Sequence, residues 1–296
     1  MLSGLHWKPS VGLVIRGELA WVRQTLGRHR WLPIRGVEIQ GDRSSKDTNL
    51  DFLTSCQNIS YLRILAAGAT SYAPIGALRS LKELRIEGVE RKAGGLDLDF
   101  SPLSSLCRLH LDGSIGEDSV FTVPSLRALG LVGYTGTDLS WLDRLPDLEE
   151  LALLGGSLTN VSHLGLAENL TWLNIASQRG LDDFLGLSGC LNVRFAWIER
   201  CPHFSDVALL QKLTRLETVR VIDCGELLNI HVLADMPAIR HIHLHTRGAQ
   251  QDFKLFRACA HLESLYISTQ SKAEEKYWQA KNGSYGLIRP DLRANC

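Results

Sequence analysis

The chain has 296 residues, 45% of them hydrophobic and 22% charged, which excludes a disordered or collagen-like polypeptide. Its 32 Lys and Arg are offset by 32 Asp and Glu, so there is no net positive field to hold nucleic acid or an anionic membrane, and neither is expected as a partner. Lys8, Arg16 and Glu18 interrupt any apolar core of a signal peptide, and no stretch approaches the ~20 apolar residues of a membrane helix.

Residues 1–33 are expected to form an N-terminal cap, with SVGLVIRG as a degenerate extra strand around Leu13 and Ile15. From residue 34 the pattern apolar-x-x-apolar-x-apolar recurs. It begins at Ile34/Val37/Ile39, Ile59/Leu62/Ile64, Leu81/Leu84/Ile86, Leu106/Leu109/Leu111 and Leu126/Leu129/Leu131. It continues at Leu148/Leu151/Leu153, Leu170/Leu173/Ile175, Val193/Ala196/Ile198, Leu216/Val219/Val221, Ile239/Ile242/Leu244 and Leu262/Leu265/Ile267. The third members stand 20 to 25 residues apart, and 23 apart in each of the last four steps. Such a repeat predicts an α/β solenoid over residues 34–269. Each of about eleven units contributes one short strand with alternate residues inward, and together they form a parallel sheet on a concave face.

Between strands a second apolar series has a spacing of three, as in Leu181/Phe184/Leu187/Cys190, Phe204/Val207/Leu210/Leu213 and Leu227/Ile230/Leu233/Met236. Period three predicts 3₁₀ turns rather than α-helices on the convex side. At the C-terminus, residues 270–296 are expected to cap the solenoid. Ser271 and Glu274 form a capping box opening the helix SKAEEKYWQAKN, Gly283 ends it, and Tyr277 and Trp278 lie over the last repeat.

The segment LEELALLGGSLTNVSHLGLAENLTWLNI resembles the short leucine-rich repeat of internalins and protein-phosphatase regulators, and the resemblance extends from residue 34 to about 270. It implies a curved solenoid that binds another protein on its concave sheet face. That class places Asn three residues after the last strand leucine. Here the column reads Asp42, Ala67, Val89, Ser114, Tyr134, Gly156, Gln178, Cys201, Cys224, Arg247 and Gln270. Without asparagine the ladder must be satisfied by backbone, water or the small and sulfur side chains. The long 86–111 and short 111–131 units are expected to be distorted.

The seven cysteines (Cys56, Cys107, Cys190, Cys201, Cys224, Cys259, Cys296) are odd in number, widely spaced and free of C-x-x-C pairs, which points to a reducing, cytoplasmic setting. Cys56, Cys190 and Cys259 share a core column with Trp31, Leu78, Leu103, Val123, Leu145, Ala167, Leu213 and Met236. Cys201 and Cys224 are expected to be buried thiols standing in for asparagine.

No phosphate-cradling, nucleophile-elbow or H-E-x-x-H motif occurs, so no catalytic residue, cofactor or enzyme activity is expected. His241, His243 and His245 alternate on one strand. A shared zinc would need further ligands from neighbouring strands, and the expected reading is a solvated or partner-facing row.

Outward strand positions fall into three zones: a charged one with Arg63, Arg85 and Arg108, a bland one around Ala128, Gly130 and Ala152, and an aromatic C-terminal one. Trp172, Asn174, Phe195, Trp197, Glu199, Arg200, Arg220, Asp223, His241, His243 and Tyr266 make up the last, the composition of a binding hot spot, and are the expected partner-binding residues. Arg63, Arg85 and Arg108 rank second, because they could be neutralised by cross-strand pairs. A one-residue slip in LNVRFAWI would instead bury Phe195 and Trp197. The expected function is a non-enzymatic module that binds, and neutralises or regulates, a folded protein partner, such as an immunity-type inhibitor of a toxin. The alternatives are a scaffold or regulatory subunit positioning an enzyme and, more remotely, a histidine-based metal-binding protein. The free chain is expected to be monomeric.

Overall fold

The computed structural model describes residues 4–29, 31–41, 49–65, 69, 71–88, 97–112, 117–245, 255–256, 259 and 261–268. They divide into two compact units, one running to Gly133 and the other starting at Tyr134. The first contains β1 (Gly4–Lys8), β2 (Gly12–Glu18), α1 (Leu19–Arg28), β3 (Ile34–Gln40), β4 (Tyr61–Leu65), β5 (Glu83–Glu87), β6 (Arg108–Asp112), α2 (Glu117–Val120) and all but the last residue of β7 (Ala128–Tyr134). β1 and β2 form an antiparallel hairpin, and from β2 to β7 each strand pairs in parallel with the next one in the chain. The second unit contains β8 (Glu150–Gly156), β9 (Trp172–Ala176), β10 (Phe195–Glu199), β11 (Thr218–Ile222), β12 (His241–His245) and β13 (Ser264–Ser268), all parallel and in chain order. Parallel neighbours in chain order require the chain to return to the same end after every strand, so it winds as a solenoid.

The strands carry the alternation the repeat predicts. In β10, β11 and β12 the even positions are buried and the odd ones half-exposed, with Ala196, Ile198, Val219, Val221, Ile242 and Leu244 inward. The return segments run as linked three-residue turns. Backbone N–H groups of Leu142, Leu145 and Leu148 donate to the carbonyls of Leu139, Leu142 and Leu145 at 3.1, 3.2 and 3.2 Å. The same chain joins Phe184, Leu187, Cys190 and Val193. An apolar residue at every third position therefore returns to the same inward side as each turn closes, and all eight are buried.

Where two returns stack closely, glycine is required: a Cβ on Gly186 would lie within 1.7 Å of the Val161 carbonyl oxygen.

At the N-terminus β2 is the extra strand expected around Leu13 and Ile15, both paired with β3. The β1 hairpin partner and α1, which buries Leu19 and Val22, were not legible in the sequence. Trp31, assigned above to the core column, is 76% exposed and packs edge-on against His29. It falls in the turn entering β3, ahead of the first full return, so none of the described residues closes over it. Cys56 and Cys259 of the same column are half-buried and Cys190 is buried. Cys107 is disulfide-bonded, which departs from the expectation of reduced thiols throughout. Among the described residues no helix is long and apolar enough to cross a membrane. The C-terminal helix and its capping residues lie outside the described residues, as do residues 89–96 of the long unit and Asp42, Ala67, Val89, Ser114, Arg247 and Gln270 of the asparagine column.

Candidate functional site

In the second unit the strand register sets the outward residues in rows. One row runs Glu150, Trp172, Phe195, Thr218, His241, Ser264, and the next runs Ala152, Asn174, Trp197, Arg220, His243, Tyr266. Neighbours within a row are about 4.8 Å apart, so aromatic and arginine side chains on successive strands are in reach of each other. Inward Ala196 and Ile198 fix the register of β10 and leave Phe195 and Trp197 half-exposed on the outward side. The one-residue slip does not occur.

Contacts along the second row are specific. The Arg220 guanidinium carbon sits 4.2 Å from the centre of the Trp197 ring, a cation–π stack. His243 and Tyr266 meet edge to face with ring centres 4.4 Å apart. Burial holds the His243 imidazole down to a pKa of about 4, helped by the nearby Arg220 and His245 charges, so it is neutral at pH 7. Burial likewise keeps Arg220 below its usual value, opposed by Glu199. Asn174, only 8% exposed, has an Oδ1 without a hydrogen-bond partner, and the same holds for Trp197 Nε1 and Arg220 Nε.

At the C-terminal ends of the strands Arg200 pairs with Glu199 at 3.2 Å, and the His245 ring with Asp223 at 2.5 Å. Arg200 and Asp223 are both exposed and left-handed, at φ 50° and 53°, and Ser177 on the preceding unit has φ 57°. The same column holds Gly88, Gly133 and Gly155 elsewhere, at φ 68°, 73° and 65°. Three adjacent repeats thus keep side chains at a position whose geometry favours glycine.

Directly beneath, the missing asparagine ladder is replaced residue by residue. Gln178 Nε2 donates to the Gly155 carbonyl at 2.8 Å, and the Cys201 and Cys224 thiols reach back to the Ile175 and Ile198 carbonyls at 3.7 Å. Burial pushes these thiols up to about 11 and about 12, which makes them structural groups.

The histidine row is divided among separate partners. His241 Nδ1 lies 3.0 Å from Ser264 Oγ, His243 is on Tyr266, and His245 is on Asp223. No group of three or more His, Cys, Asp or Glu among the described residues is arranged to hold a metal. Sequence reasoning passed over the row of alternating charges at the N-terminal strand ends, where Arg194 donates to Glu217 and Arg240 to Glu263, both at 2.6 Å. Their 23-residue separation was the available signal.

In the first unit the charged zone is internally paired. Arg63 binds Glu87 at 2.6 Å, Arg85 binds Glu83 at 2.8 Å and Arg16 meets Glu38 at 2.7 Å. Tyr61 donates to Glu38 at 2.9 Å, and Lys8 lies 3.4 Å above the Tyr61 ring. Arg108 faces Glu83 across the β5–β6 register and is half-exposed.

In structure the chain is similar to an internalin (InlF) of Listeria monocytogenes, with a TM-score of 0.63 at 16% identity over 81% of this chain and 68% of that one. It is also similar to internalin C2 of the same organism, with a TM-score of 0.49 at 20% identity over 73% and 83%. A leucine-rich-repeat protein of Leptospira interrogans aligns with a TM-score of 0.43 at 12% identity over 90% and 97%. No protein-family model matches the chain, and no curated protein matches it in sequence. At these identities the likeness concerns the fold alone. Taken with the chain-ordered parallel strands and short 3₁₀ returns, the likeness to InlF makes this protein a leucine-rich-repeat solenoid.

Proposed function

We propose that the chain is a non-enzymatic module that takes a folded protein partner on the outward sheet face of its second unit and neutralises or regulates it. One observation carries the reading: Trp172, Phe195 and Trp197 lie side by side across β9 and β10 on the outward face and keep part of their surface accessible. Large aromatics bury much area at low entropic cost, and together with arginine they dominate interface energetics. Asn174, Glu199, Arg200, Arg220, Asp223, His241, His243 and Tyr266 form the polar surround of that patch. Arg63 and Arg85 spend their charge on Glu87 and Glu83, so the first unit ranks second. In its finer form the module is an immunity-type protein that covers the active site of a toxin.

The test is the Trp197→Ala, Arg220→Ala double variant, compared with the native chain by calorimetry against the purified partner identified by co-purification. Two hot-spot truncations should weaken binding by at least about thirtyfold while circular dichroism stays native. Undiminished affinity in a folded variant disproves the site. Partner activity in the complex then separates neutralisation, where it is lost, from scaffolding, where it is kept.

A further inference from the structure

The arginines on and beside β10, β11 and β12 are not equivalent. Arg194 sits on Glu217, Arg200 on Glu199 and Arg240 on Glu263. Arg220 alone of these four has no ion pair among the described residues, although it occupies the middle of the aromatic row and is half-buried there. Its neighbours along the row supply no countercharge: Trp197 gives a ring face, His243 is neutral, and Asn174 two strands away is an uncharged, buried amide. Glu199, whose charge opposes the effect of burial on Arg220, is ion-paired with Arg200 instead. A half-desolvated cation without an ion pair of its own is costly to maintain, and stacking on Trp197 recovers only part of that cost.

We propose that Arg220 is the receptor for a single carboxylate side chain, an Asp or Glu presented by the protein partner, with the Trp197 ring holding the guanidinium in place to receive it. This rests on the reading of the second-unit face as the binding surface, and it adds the chemistry of the central contact. Trp172 and Phe195 in the adjoining row take apolar groups flanking the acid.

A carboxylate fits better than a phosphate. One guanidinium neutralises a monoanion, whereas a phosphate dianion would leave a charge facing Glu199 and the exposed Asp223, with no second cation in the row because His243 stays neutral. His245 engages Asp223 instead of the row.

The test uses the full chain, labelled for nuclear magnetic resonance of the Arg220 Nε–H and Trp197 Nε1–H groups. It is titrated with four acetylated tripeptides in which Glu, Gln, phosphoserine or Lys stands between two leucines. The expected result is a saturable shift of both groups, with the Glu peptide bound about tenfold more tightly than the Gln peptide. That preference should vanish in Arg220→Gln and persist in Trp172→Ala, which weakens all four peptides alike. Equal binding of the Glu and Gln peptides overturns the carboxylate assignment and leaves the binding face standing. Preference for phosphoserine overturns it in favour of a phosphorylated partner. If no peptide shifts either group the assignment is also wrong, and the partner affinity of the Trp197→Ala, Arg220→Ala variant then decides separately whether the face binds at all.

Discussion

Arg220 and Trp197 face each other across one step of the β10–β11 register, with the guanidinium carbon 4.2 Å from the ring centre. The stack joins two residues 23 apart in sequence, and it forms because both strands turn their odd positions outward. A double-mutant cycle with Arg220→Ala and Trp197→Ala, read by urea denaturation, should give a coupling of about 0.5–1 kcal/mol, the size of a partly exposed cation–π pair. A coupling of zero would mean that the stack is not populated in solution.

The left-handed column separates side chains kept for stability from those kept for another purpose. Ser177→Gly and Arg200→Gly relieve a positive φ and should each leave stability unchanged or raise it by about 1 kcal/mol. Arg200→Gly should at the same time weaken partner binding. If Arg200→Gly destabilises the fold instead, the residue is structural and leaves the proposed site.

Buried thiols should be slow to react. With Cys201 near 11, roughly one molecule in a thousand carries the thiolate at pH 8. Iodoacetamide at pH 8, followed by peptide mass mapping, should label half-buried Cys56 well before Cys190, Cys201 or Cys224, and urea should abolish the difference. Labelling of Cys201 as fast as Cys56 would contradict the ladder role.

His243 gives a signed dependence on pH. Its folded value of about 4 lies below the unfolded value of about 6.5, so between those limits the unfolded chain binds the extra proton. Stability is therefore undiminished above about pH 6.5, falls as the pH drops toward 4, and loses nothing further from this group below that. Urea midpoints across this range should fall less steeply for His243→Asn than for the native chain. Parallel curves would show that the imidazole titrates normally.

Two glycines on adjoining returns form a matched pair. Gly186→Ala pushes a methyl to within 1.7 Å of the Val161 carbonyl oxygen and should cost ~3 kcal/mol, whereas Gly165→Ala meets nothing closer than 3.6 Å and should cost far less. Equal urea midpoints for the two variants would show that the returns are not stacked as closely as described.

The repeat and its inward set were legible from the chain alone because both depend on local periods. Alternation of two decides which strand residues face the core. A spacing of three decides which residues of the returns do so, since each three-residue turn closes with its own hydrogen bond. That is why Ala196 and Ile198 could be assigned inward and Trp197 outward. The period has no hold on residues before the first full repeat, so Trp31 was misplaced and the β1–β2 hairpin went unseen.

What the sequence alone determined, then, is a solenoid with an aromatic and basic outward row. It could not decide which charges on that row cancel. Register brings Arg63, Arg85, Arg194, Arg200, Arg220 and Arg240 each within reach of some carboxylate. Each such pair is worth well under about 1 kcal/mol, so the outcome rests on competition among near neighbours for particular side-chain directions. Only the tertiary structure shows Glu199 turning to Arg200, which leaves Arg220 on Trp197 as a half-buried cation with no carboxylate of its own among the described residues.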